Sequence, residues 1–222
     1  FCSNDYFGIA KSNSLKKLTN KILLDYEHSN GSTGSRLISG NNLLIERVES
    51  EITQFFKGEA GLIFNSGYDA NIGLFSTIPK RNDTILYDEY IHASIRDGIS
   101  LSNAKSYSFK HNCINDLKCK IKKSKGEIFI AVESIYSMDG DQSPLLELDK
   151  FCKRNGYHLI VDEAHSTGMY PNYNYSFCKK YNIIPFAILH TFSKTMGCHG
   201  AIWITSKSVK KYLINFCRTF IY

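Results

Sequence analysis

From residue 42 onward, short apolar runs alternate with longer stretches in which apolar residues return every three or four positions. Residues 42–56 set Leu44, Ile45, Val48, Ile52, Phe55 and Phe56 on one stripe with acidic residues between them, which predicts an amphipathic helix. Residues 60–64 form an apolar run that reads as a strand. Asn65-Ser66-Gly67 then supplies a turn from which a helix runs to about residue 77. The alternation continues with a strand at 84–87, a helix at 92–101, a strand at 105–109 and a helix at 114–123. Residues 127–132 are almost continuously apolar, as a strand covered on both faces must be. A helix at 146–155 closes on Gly156, and strands follow at 157–161, 186–190 and 201–205, with 192–200 as the loop between the last two. Strand–helix alternation of this kind predicts an α/β protein, a three-layer α/β/α arrangement around a mainly parallel sheet, with ligands at the C-terminal strand edge.

Composition narrows the choices. The 222 residues are 43% hydrophobic and 22% charged, which excludes a disordered chain, and no run reaches the ~18 apolar residues of a membrane span. A formal net charge of +6 is too mild for a dedicated nucleic-acid binder. The Lys-rich stretch 118–125 reads as the solvated C-terminal end of a helix, where cations suit the dipole. Seven cysteines without a CxxC pair predict reduced thiols and a cytoplasmic setting. No Pro- or Gly-rich linker divides the chain. Phe1-Cys2-Ser3-Asn4-Asp5-Tyr6 lacks an initiator Met, and Phe216-Cys217-Arg218-Thr219-Phe220-Ile221-Tyr222 is an apolar run without a turn or cap signal. Both ends predict a piece of a longer protein.

Chemistry concentrates at the predicted strand ends. Leu159-Ile160-Val161-Asp162-Glu163-Ala164-His165 places two acids and a histidine directly after a buried strand. A nucleotide-driven helicase uses such a box together with a phosphate loop ending in Gly-Lys, and none of the 15 glycines here is followed by Lys. A metal site is a second reading, since Asp162, Glu163 and His165 are all competent ligands. A structural acid is a third. The fourth is a pyridoxal phosphate site, in which a carboxylate keeps the pyridine nitrogen protonated. That last reading also accommodates Thr191-Phe192-Ser193-Lys194, where a lysine able to form a Schiff base sits among hydroxyls able to hold a phosphate. Asn65-Ser66-Gly67-Tyr68 at a helix N-terminus suits an anion, and His92 on the same rim offers a flat ring. Glu133 to Asp141 extends another buried strand with polar groups.

These segments resemble the α-oxoamine synthase family, pyridoxal phosphate enzymes of the type I aminotransferase fold. The resemblance is carried by Gly31-Ser32-Thr33-Gly34-Ser35-Arg36-Leu37-Ile38-Ser39-Gly40, Asn65-Ser66-Gly67-Tyr68, His92-Ala93-Ser94, Tyr136-Ser137-Met138-Asp139-Gly140-Asp141, Val161-Asp162-Glu163-Ala164-His165 and Thr191-Phe192-Ser193-Lys194, in the family's order. It implies that Lys194, His92 and Asp162 are catalytic: Lys194 takes the cofactor as a Schiff base, Asp162 pairs with the pyridine nitrogen, and His92 stacks on the ring. It implies that His165 contacts the phenolic oxygen and that Gly67, Tyr68, Ser137 and Thr191 complete the cofactor contacts. By the same resemblance the substrates are a small amino acid and an acyl thioester, carried on CoA or an acyl carrier protein, and the assembly is a homodimer. Residues 1–30 would lead into a cofactor-binding large domain at 31–222, with a smaller C-terminal domain outside this chain. A cofactor-binding piece without activity of its own is the competing expectation. Thr195, where the family usually has Ala, and residues 170–175, where it is usually Gly-rich, depart from the pattern.

Overall fold

The computed structural model describes residues 2–25 and 31–222. Phe1 and residues 26–30, where the sequence reading places the passage into the large domain, lie outside the described residues. A seven-stranded sheet organises the rest, in the order β1-β7-β6-β5-β4-β2-β3. The strands are β1 (Ala60–Phe64), β2 (Thr84–Asp88), β3 (Lys105–Phe109), β4 (Ile128–Glu133), β5 (His158–Asp162), β6 (Ala187–Thr191) and β7 (Ala201–Thr205). The run β3-β2-β4-β5-β6 is parallel, and β7 lies antiparallel to both β6 and β1.

Alternate residues of each strand feed two cores. Leu159 and Val161 of β5 join Leu86, Ile130 and Ile188 on one face, whereas Ile160 joins Phe129, Leu189 and Trp203 on the other. That strict alternation is the period-2 geometry of a pleated strand buried on both sides. Helices α3 (Gly67–Thr77), α4 (Ala93–Ser100) and α8 (Lys207–Phe216) cover the second face. Helices α5 (Ile114–Ile121), α6 (Leu145–Asn155) and α7 (Phe177–Lys180) supply residues to the first. The layers match the predicted α/β/α arrangement, which is the type I aminotransferase fold. Helix α2 (Leu43–Phe55) starts where Asn42 Oδ1 accepts the Ile45 N–H at 2.9 Å, and α6 stops on Gly156 at φ 70°.

The strands differ from the hydropathy reading in one consistent way. Strands β2, β4, β5 and β6 each run one residue further, through Asp88, Glu133, Asp162 and Thr191. Hydropathy ends a strand at its last apolar side chain, but the ladder of backbone hydrogen bonds continues while the neighbouring strand does. Helices α1 (Asn13–Asp25), α7, α8 and α9 (Arg218–Ile221) were not anticipated. The apolar run at 216–222 is therefore not featureless: it turns at Cys217 and packs α9 on the sheet, with Phe220 edge-on to Phe64 at 5.9 Å. Residues 170–175 form a packed turn in which Tyr175 stacks on Phe55 at 5.3 Å. Among the described residues, no helix is long and apolar enough to cross a membrane.

Helix α3 is held close to the sheet and to α4. A Cβ on Gly98 would stand 2.9 Å from the Asn71 carbonyl oxygen, so the approach of the two helices requires glycine there. Trp203, fully buried, donates its indole N–H to the Ala70 carbonyl at 2.8 Å. Trp203→Phe removes the sheet's hydrogen bond to that carbonyl, leaving only its helical partner, and opens a small void. Urea unfolding followed by circular dichroism should show a loss of about 2–4 kcal/mol, and a loss below about 0.5 kcal/mol would show that the bond does not anchor α3.

Candidate active site

Parallel strands put their C-terminal ends on one edge, and here the polar residues that end them are brought into register. Glu133 is paired with Asp162 across β4 and β5, while Phe64 of β1 and Thr191 of β6 both stand opposite Ala201. The last pairing brings the Asn65-Ser66-Gly67 turn beside the end of β6. A Cβ on Gly67 would meet the Thr191 methyl at 2.8 Å, so glycine is needed for the chain to pass. The resulting cavity, of about 230 Å³, is lined by Gly67, Tyr68, His92, Asp162, Thr191 and Lys194 of the sequence-predicted residues. Ser66, Asn71, Ser94, Glu133 and Ser193 complete the polar part of its wall.

Lys194 enters from the loop after β6. Its Nζ lies 2.9 Å from His165 Nε2, and His165 Nδ1 lies 2.7 Å from the Tyr6 hydroxyl. Burial lowers the lysine below its ordinary value, against the opposing pull of Asp162 and Glu133. Burial and then the Lys194 charge bring His165 down to about 4, so the imidazole is neutral at physiological pH. An ammonium offers only donors; His165 Nε2 therefore accepts from Lys194, and the ring proton sits on Nδ1 facing Tyr6. Tyr6 was not singled out in the sequence, because nothing local links residue 6 to residue 165.

Asp162 is buried and doubly held. One oxygen accepts the Ala164 N–H at 2.8 Å, and the other accepts from Asn71 Nδ2 at 2.9 Å. The same Asn71 amide donates to Ser94 Oγ at 2.9 Å, and Ser94 Oγ stands 2.8 Å from His92 Nδ1. Since Ser94 Oγ accepts from Asn71, its proton is free for His92 Nδ1, which leaves the His92 proton on Nε2. His92 itself is exposed at the rim, where it caps α4. Asn71 was missed because an isolated Asn in a helix carries no spacing signal, and Ser94, part of the His92-Ala93-Ser94 motif, was given no role of its own. Glu133 lies on the cavity wall with Oε1 unpartnered, and burial, reinforced by Asp162, pushes its carboxyl up to about 8.

Three sequence-derived candidates are not on this wall: His165, which meets it through Lys194, and Ser137 and Glu163, which stand apart from it. Ser137 is exposed and lies outside the cavity: beyond Ser134 the chain folds into a tight turn in which Gly140 N–H meets the Tyr136 carbonyl at 2.9 Å. Glu163 is turned to the opposite face from Asp162. Its carboxylate is fully buried and accepts from Ser176 Oγ and from the Phe177 and Cys178 N–H groups at 2.6–3.1 Å. Asp162, Glu163 and His165 thus do not converge as metal ligands would. Tyr68 is 44% exposed and hydrogen-bonded to Asp97. Thr195 is buried beneath the loop, its methyl close against Gly168.

The position of Lys194 has a measurable signature. After reductive methylation with ¹³C-formaldehyde, the Lys194 resonance should titrate at lower pH than the surface lysines. Asp162→Asn should lower it further, because it removes a charge that favours the ammonium. A midpoint indistinguishable from the surface lysines would place the amine in solvent.

Comparisons with known proteins identify the family and the fold. The family model described as aminotransferase class I and II matches residues 1–222. Curated relatives include a putative 8-amino-7-oxononanoate synthase of Bacillus licheniformis, 38% identical over all of this chain and 59% of its own length. The 8-amino-7-oxononanoate synthase of Lysinibacillus sphaericus is also 38% identical, over 100% of this chain and 58% of its own. Among solved structures, serine palmitoyltransferase from S. paucimobilis, with a pyridoxal phosphate–myriocin adduct, superposes with a TM-score of 0.91 at 26% identity, covering 99% of this chain and 57% of its own. The 8-amino-7-oxononanoate synthase of Francisella tularensis gives 0.81 at 30% identity, covering 100% and 62%. This chain therefore spans under two thirds of the length of the relatives it matches. On its motifs, its fold and its full-length match, the chain belongs to the class I and II aminotransferase family, within which it resembles the α-oxoamine synthases.

Proposed function

We propose that the chain is the cofactor-binding part of an 8-amino-7-oxononanoate synthase, which joins L-alanine to a pimeloyl thioester with loss of CO₂ in biotin biosynthesis. The observation that carries the reading is one cavity that holds Lys194, a buried Asp162 and the His92 rim, with His165 backing Lys194 at 2.9 Å. Curated relatives named for this activity are 35–39% identical, above the 24–29% of the serine palmitoyltransferase structures. Residues 31–222 would form the large domain, and a homodimer in the cytoplasm, with the acyl group delivered on CoA or an acyl carrier protein, completes the proposal. The exposed Leu18, Ile22 and Leu24 of α1 supply apolar surface that suits such an assembly.

The donor set fits pyridoxal 5'-phosphate. A neutralisable amine, a buried carboxylate, a helix N-terminus flanked by hydroxyls and a rim imidazole are the groups such a cofactor needs. When bound, it supplies an electron sink for a carbanion at the amino acid's α-carbon. Lys194 Nζ would hold it and, once displaced by substrate, take the α-proton; its burial keeps that amine easier to deprotonate than a surface lysine. Asp162 would face the ring nitrogen, kept in place by Asn71 and the Ala164 N–H. His165 would address the phenolic oxygen and His92 one ring face. The N-terminus of α3 at Gly67, with Ser66, Thr191 and Ser193, would receive the phosphate.

Adding pyridoxal phosphate to the protein should produce the visible absorption of a lysine-bound cofactor, and Lys194→Ala should abolish it. The loaded protein in D₂O should then exchange the α-proton of alanine faster than that of glycine or serine. Absence of the band overturns the cofactor assignment. Preference for glycine points to 2-amino-3-ketobutyrate CoA ligase chemistry, and a band with no exchange at all marks a binding piece without activity of its own.

A further inference from the structure

A second polar cluster lies at the same sheet edge, and the proposed reaction makes no use of it. His111 follows β3, and both its ring nitrogens meet carboxylates: Nδ1 is 2.8 Å from Asp88 Oδ1 and Nε2 is 2.7 Å from Asp141 Oδ2. Ionised carboxylates only accept, and a neutral imidazole has a single N–H. Only the imidazolium donates to both carboxylates; a neutral ring would give one of them up, with Nε2 turned acceptor toward Asn112 Nδ2 at 3.1 Å.

The surroundings support that state. The ring stacks on Tyr90 at 4.4 Å and meets the edge of the buried Tyr136 at 4.5 Å. Glu89 Oε1 accepts the His111 backbone N–H at 2.9 Å, and Asn112 Nδ2 also reaches Asp141 at 2.7 Å. The neighbouring Asp116 is occupied by the Lys110 N–H at 2.8 Å. Burial works against the charge, but the hydrogen bonds and negative charges of Asp88 and Asp141 outweigh it, and His111 is raised above the usual imidazole value.

Each carboxylate belongs to a loop that sets a cavity residue. Asp88, fully buried at the end of β2, accepts the Tyr90 and Asn112 N–H groups at 2.9 and 2.8 Å, while its carbonyl accepts Ile91 N–H at 3.0 Å. The next residue is His92. Asp141 closes the turn beyond Glu133, its carbonyl accepting Tyr136 N–H at 3.0 Å. The His111 ring is the bridge between the two.

We propose that His111 is a positioning residue: as an imidazolium clamped between Asp88 and Asp141, it locks the loop that presents His92 to the loop that follows Glu133. Losing the proton removes one of the two ring contacts, leaving Asp141 with Asn112 Nδ2 or Asp88 with its backbone N–H donors, and sets two negative charges facing each other across a neutral ring. Because the folded value is raised, the clamp contributes fully below the unfolded imidazole value of about 6.5 and is lost as pH rises through the folded value.

The test needs neither cofactor nor turnover, so its failure is separate from failure of the proposed function. In protein labelled with ¹⁵N-histidine, both His111 nitrogens should carry protons at pH 7. The His92 ring shift should show an inflection at the His111 midpoint. Amides of Tyr90 and Tyr136 should lose hydrogen-exchange protection together across that midpoint, beyond the intrinsic rise with pH. Asp141→Asn should move the midpoint, the His92 inflection and the exchange transition down by the same amount, about one pH unit or more for a charge pair this close. A single protonated nitrogen at pH 7 overturns the proposal. So does a His92 shift, or loop exchange, that ignores the His111 titration.

Discussion

The buried amide of Asn71 is the joint on which the site depends. From one side chain it donates to Asp162 and to Ser94, each at 2.9 Å, so one group fixes a strand-end carboxylate and, through Ser94, the tautomer of His92. A hydrogen bond to a charged group is worth about 1.5–3 kcal/mol, and a buried carboxylate deprived of it faces the full cost of desolvation. That joint exists only because α3 approaches both α4 and the sheet closely. Gly98 permits the first approach, and the Trp203 indole grips the carbonyl of Ala70, one residue before Asn71, for the second.

The two faces of β5 divide the acids between chemistry and support. Asp162 faces the cavity, and its neighbour Glu163 turns into the opposite core, where it meets the Phe177 and Cys178 N–H groups. Glu163 lies one residue past β5 and continues the strand's alternation, in which successive side chains point to opposite faces. Glu163 thus organises the segment after residue 176, beneath the loop that delivers Lys194, while Asp162 stays with the polar wall. On that wall Glu133 is raised by burial and by Asp162, and Lys194 is lowered by burial. The groups best able to move protons are therefore poised nearer neutrality than they are in water.

Much of this was legible in the sequence. Apolar runs marked six of the seven strands, because a sheet covered on both faces tolerates little else, edge strand β3 showed only polar–aromatic alternation, and the motif residues Gly67, Tyr68, His92, Asp162, Thr191 and Lys194 do meet in one cavity. What the cavity did not gather, or the sequence did not signal, has identifiable reasons. Ser137 sits in a polar turn that sequence cannot aim, and the structure turns it outward. Asn71, Ser94, Tyr6 and His111 gained significance only through partners 23 to 159 residues away. Helix α1 carries Leu15, Leu18 and Ile22 at helical spacing, but all three stay exposed among the described residues, so no core contact marks that stripe.

The sequence by itself determined the layers and which residue types stand at strand ends, because periodicity and local turn chemistry act over a few residues. Only the tertiary structure decided the register that pairs Glu133 with Asp162 and the approach of α3 that hands one amide to two partners. The same holds for the bridge of His111 between two loops. Those are contacts between distant segments, and their geometry is set by how the sheet is ordered and how closely its helices pack.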